Sequence, residues 1–175
     1  MLMQTRLRKA ERKGKLIRAR PFIAWAAERR AFWMTKTLYD QIESGKSSSD
    51  PKVKDRWAKL EADITTFVEG GYAHGEFIKQ LDPPKFEHWE LKSVAPRPGI
   101  RIFGRFALPD VFVGTHAVFR CELGKKWSVN FELNKLKCEE EWNNAGLPKP
   151  FTAAPDFEYT KYITFNAGLH IGVPQ

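Results

Sequence analysis

The apolar residues of this chain change their period from 3.6 to 2 near residue 71, and that change limits the folds open to it. Before it, Val53, Trp57, Leu60, Ile64, Phe67 and Val68 recur at steps of four, three, four, three and one, the stripe of an amphipathic helix. Asp50–Pro51 supplies an N-cap carboxylate and a proline for the first turn, and Gly70–Gly71 supplies the stop. After it, FIKQL (77–81), KFEHWELKS (85–93), IRIFGRFAL (100–108) and VFVGTHAVF (111–119) alternate with period two and read as strands. Pro109–Asp110 is a tight turn that joins the last two into an antiparallel hairpin.

Pro21 followed by FIAWAAERRAFWMTKTLYDQI predicts an earlier helix, and GKSSSD breaks it. Residues 128–143 return to helix, with Val129, Leu133 and Leu136 on one line and Phe131, Cys138 and Trp142 near another; AGLPKP ends it. FEYTKYITF (157–165) alternates again and predicts a late strand. The order predicts an α+β domain, with two N-terminal helices and a C-terminal helix packed on one face of a small, mostly antiparallel sheet. Its divisions are a basic arm over 1–20, the domain over 21–145, and an extension over 146–175 that holds the extra strand.

Charge is divided unevenly. Residues 1–20 hold eight Lys and Arg against Glu11, whereas the rest of the chain holds 21 basic and 20 acidic groups. Such a segment suits contact with a polyanion, where each neutralised phosphate releases counterions. Thirteen Phe and six Trp supply a core. The sequence has no apolar run of membrane length and no signal-peptide pattern, so a soluble cytoplasmic protein without membrane contact is expected. Cys121 and Cys138 are too few for a disulfide framework and too poorly spaced for zinc. The sequence lacks a glycine-rich phosphate loop, GxSxG and HExxH, and its histidines are widely separated, so neither metal nor organic cofactor is indicated.

Strand alternation assigns two sheet faces. Trp89, Leu91, Ile100, Ile102, Phe106, Val111, Val113, Ala117 and Phe119 form the expected core side. His88, Glu90, Lys92, Arg101, Phe103, Arg105, Phe112, His116 and Arg120 fall on the other. Converging cations among aromatic rings make a seat for a phosphodiester strand with stacked bases.

Trp57–Leu60, Phe67–Gly71, Phe77–Leu81, Phe86–Lys92, Gly99–Phe103, Val111–His116 and Lys125–Lys126 follow one another as in the RelE/ParE toxin superfamily. Over residues 50–143 the chain most closely resembles its HigB-like and phage-derived members. The resemblance implies a toxin of a type II toxin–antitoxin system, held by a cognate antitoxin, that cuts messenger RNA on the ribosome without metal. It implies that Lys92 and Arg101 bind the scissile phosphate, with Arg120, Lys125 or Lys126 as a third cation. His116, Lys92, Tyr159 or Tyr162 serves as base or acid. Arg105, Phe103 and His88 complete the RNA contacts, and the basic arm grips ribosomal RNA. A ParE-like gyrase inhibitor and a non-catalytic phage or mobile-element binding protein are the alternatives on the same fold. The chain departs from the family in its length, in the insertion FRCELG (119–124), and in Phe103–Gly104, where a tyrosine is expected.

Overall fold

The computed structural model describes residues 2–23, 27–71 and 77–164. The helix that begins at Asp50 forms as its sequence dictates. The Asp50 carboxylate accepts from Lys52 N at 2.9 Å, Pro51 opens the helix, and it runs to Val68, with Gly70 following at φ 99°. Its stripe of Trp57, Leu60, Ile64, Phe67 and Val68 is buried.

Among the described residues six strands make one sheet: β1 (Leu16–Arg18), β2 (Ala31–Thr35), β3 (Ile78–Gln80), β4 (Trp89–Ser93), β5 (Ile100–Leu108) and β6 (Val111–Phe119). Their order is β1-β2-β6-β5-β4-β3, with β2 and β6 parallel and every other pair antiparallel. The α-helices among the described residues are α1 (Met3–Arg12), α2 (Lys36–Lys46), α3 (Pro51–Val68), α4 (Val129–Asn144) and the single turn α5 (Tyr159–Tyr162). None of them is long and apolar enough to cross a membrane.

The sheet is covered on both faces. Phe32 and Met34 of β2 join Leu38, Ile42, Trp57, Leu60 and Ile64 of α2 and α3 in the larger core. The alternate residues, Ala31 and Trp33, join Leu7 and Ala10 of α1 and Trp142 of α4 on the opposite side. Gly45 lets α2 approach α3, because a Cβ there would stand 2.1 Å from the Trp57 ring. The expectation of helices on one face alone therefore fails. α2 and α3 keep to one face, while α1 and α4 take the other.

Three other expectations are corrected. Residues 3–18 form no loose arm: α1 is anchored by buried Leu7 and Ala10, and β1 pairs with β2. The helix expected from Pro21 gives way to β2, whose five residues are all buried, before α2 begins at a Thr35 cap that accepts from Leu38 N at 3.3 Å. Trp25 of that expected helix lies outside the described residues. The late strand is instead α5, and Phe165 of it lies outside the described residues. Tyr162 packs against Trp89 at 4.6 Å between centroids and donates to Glu87 at 2.8 Å. Phe151 N donates to Phe106 O at 2.8 Å. Phe151, Ala153, Tyr159, Tyr162 and Ile163 thus pack into the domain's own core.

A bulge corrects the face assignment as well. Phe103 pairs with His116 and Gly104 with Gly114, leaving Thr115 as the extra residue. Parity reverses there, so Phe112 points into the α2–α3 core and Val111 and Val113 point toward α1 and α4. On α4 the buried line is Lys135, Cys138 and Trp142. Val129, Leu133 and Leu136 are 73%, 56% and 61% exposed.

Candidate nucleic-acid interface

The β4–β5 register sets Lys92 directly opposite Arg101. Like charges in that position repel, so two cations side by side mark a place where the sheet tolerates a cost. Both side chains open into a cleft of about 270 Å³ lined also by Lys79, Gln80, Leu81, Asp82, Glu90, Arg120, Lys126, Trp127, Phe131, Glu132 and Lys135. Among the described residues, six cations thus face three carboxylates. The floor comes from β3, β4 and β5, and the walls come from the Arg120 turn and the start of α4. Ser128 caps α4 by accepting from Phe131 N at 3.3 Å, which fixes where that wall begins.

Most of the cleft's polar groups are held in place. Arg120 Nη1 donates to Gly124 O at 2.8 Å. Lys126 pairs with Asp82 at 2.7 Å and holds that carboxyl below its ordinary range. Lys135, itself buried, donates to Asp82 O at 2.9 Å and pairs with Glu132 at 2.7 Å. Arg101 Nε stands 3.7 Å from Glu90 Oε2. Burial lowers the Arg101 pKa, Glu90 opposes that shift and Arg120 adds to it. Glu90 is 7% exposed, and its Oε2 has no hydrogen-bond donor. Trp127 is 58% exposed, with the Lys126 and Lys135 ammonium groups 5.3 and 5.5 Å from its ring centre.

Of the residues expected at the site, Lys92, Arg101, Arg120 and Lys126 come together here. Lys125 is exposed on the adjoining loop but does not line the cleft. The others lie beneath α4. His116 is fully buried, with Nε2 at 2.9 Å from Asn134 Oδ1, Nδ1 at 3.0 Å from Thr115 Oγ1, and its ring stacked on Phe103 at 5.3 Å. Burial, the largest cause, pulls its pKa down to about 4, against the hydrogen bond to Asn134. Phe103 is fully buried, and Phe131 packs edge-on against it at 6.0 Å. Arg105 Nη2 binds Phe86 O at 3.1 Å and Glu139 at 3.0 Å and lies 3.1 Å from His88 Nε2. Burial, and then the Arg105 charge, pull His88 down to about 3. Neither tyrosine lines the cleft; burial pushes Tyr159 and Tyr162 up to about 12.

The sequence reading passed over Lys79, Glu90, Trp127 and Lys135 as functional groups. Trp127 carried a visible signal, a large aromatic between two lysines and a helix cap in KKWS. Lys135 carried none, because only the packing of α4 brings it to Asp82. Among the described residues, no three His, Cys, Asp or Glu side chains cluster as metal ligands would. No family model matches the chain, and no curated protein matches it.

Proposed function

We propose that the cleft binds a single RNA strand and cleaves it, and that the chain is a HigB/RelE-like toxin acting as a ribosome-dependent messenger RNA endoribonuclease. The observation that carries this reading is the Lys92–Arg101 pair opening, with Arg120 and Lys126, beside an exposed indole. The cations suit a phosphodiester and Trp127 suits a base stacked next to it. The α2–α3 hairpin on one sheet face is in keeping with the resemblance.

In the proposed reaction the ribose 2′-oxygen attacks the phosphorus, the 5′-oxygen leaves, and a 2′,3′-cyclic phosphate remains. Arg101 and Arg120 stabilise the charge that grows on the phosphoryl oxygens. Glu90, which lines the cleft beside Arg101, takes the 2′-hydroxyl proton, and the Lys92 ammonium returns one to the departing oxygen. His116, sealed beneath α4, takes no part. A cognate antitoxin protein has an apolar surface to cover in Val129, Leu133 and Leu136.

The test is a map of messenger RNA 5′ ends in bacteria minutes after a pulse of expression, beside Arg101→Ala. New ends within codons are expected, reduced a hundredfold or more in the variant, since one such contact is worth about 3 kcal/mol. Intact messages would refute the nuclease reading. Arrested growth with intact messages would then direct attention to gyrase.

A further inference from the structure

Resting on the reading of the cleft as an RNA site, we infer that the outer face of α1 is a second contact that grips the phosphate backbone of an RNA duplex. Leu7 and Ala10, one turn apart, anchor the helix against a core that includes Trp33, Val111 and Val113. With that face fixed, Arg8, Lys9 and Arg12 on the helix and Lys13 at its C-cap are all exposed. Arg8 and Arg12, like Lys9 and Lys13, are four residues apart, so the four form two adjacent rows with about 6 Å between successive charges. Among the described residues, none of the four pairs with a carboxylate.

Three features select the partner. The apolar side of α1 is occupied by the sheet, so the helix has no face left to enter a bilayer. MQTRLRKAER contains no aromatic residue on which an unpaired base would stack. A rigid array of cations without a stacking platform suits phosphates held at fixed spacing in a duplex. RNA is favoured because α1 lies on the sheet face that bears the cleft. β1 and β4 are four strand steps apart in the sheet, roughly 19 Å at the usual strand spacing. One structured RNA can therefore lay a helical segment on α1 and an unpaired segment in the cleft.

The experiment is fluorescence anisotropy of the full chain with a labelled RNA duplex of about 20 base pairs, across roughly 50 to 200 mM salt. The variant R8Q/K9Q/R12Q/K13Q is expected to flatten the slope of log affinity against log salt by about 3 to 4, with an unchanged thermal midpoint. Arg101→Ala is expected to keep the wild-type slope. An unchanged slope in the quadruple variant overturns the inference. So does a DNA duplex bound as tightly as RNA, preferential pelleting with phosphatidylserine vesicles, or loss of duplex binding in Arg101→Ala. The duplex measurement needs no cleavage, so a failed nuclease reading leaves it intact. Conversely, messages cut normally by the quadruple variant, with its salt slope unchanged, would remove α1 alone.

Discussion

His116 has both ring nitrogens committed, to Asn134 and Thr115, and a ring stacked on Phe103. It is neutral in the fold down to about pH 4, whereas an unfolded histidine titrates near 6.5. Between those values the unfolded chain binds a proton that the folded chain refuses. Stability from this group is complete above about pH 6.5 and is lost as pH falls toward 4, up to roughly 3 kcal/mol in all. The thermal midpoint should therefore drop across that window, and His116→Gln should flatten the drop by as much as one proton. An identical pH profile in the variant would contradict the burial. Strand alternation correctly put His116 on the same face as Lys92 and Arg101. What it lacked was α4, which roofs His116, Phe103 and Arg105 and leaves the other two open. Which member of a face meets solvent depends on a helix packed from another part of the chain.

At the scale of the element, residues 3–18 were the hardest to read, because only Leu7, Ala10 and Leu16 are buried among seven cations. Their composition resembles a tail, and their role rests on the partner surface of Trp33, Val111 and Val113. Leu7→Ala should cost about 2 to 4 kcal/mol, read as a lower midpoint in urea unfolding. Removing residues 1–20 should lower stability further by stripping β1 from β2. Equal stability of the shortened chain would restore the tail. β2 was misread for a related reason. AFWMT is buried on both sides between β1 and β6, and a short continuous apolar run does not distinguish strand from helix. By contrast α3, with its cap, stripe and glycine stop, was legible in full. The β5–β6 hairpin was legible too, apart from the register shifts at Thr115 and Ala107, whose extra residues left no mark in the pattern.

At the scale of the whole molecule, α2 and α3 close one face of the sheet and α1 and α4 close much of the other. The cleft remains between the start of α4 and strands β3 to β5. Beyond residue 20 the chain is almost neutral, so its affinity for RNA depends on where cations gather. Two kinds of contact meet in this cleft, and they respond differently to salt. Stacking on an indole is worth about 1 to 3 kcal/mol per base and involves no counterion, whereas a phosphate contact on single-stranded RNA contributes about 0.7 to the salt slope. Trp127→Ala should therefore weaken binding of an unpaired oligonucleotide by roughly five- to 150-fold with its slope preserved. Lys126→Gln should reduce the slope by about 0.7, and it also releases Asp82 from its ion pair, so its loss of affinity should be greatest at low salt. Both are read from oligonucleotide titrations at several salt concentrations. If Trp127→Ala changes the slope and Lys126→Gln does not, the two side chains have been assigned the wrong roles. If neither variant alters binding, the strand does not enter by this wall of the cleft.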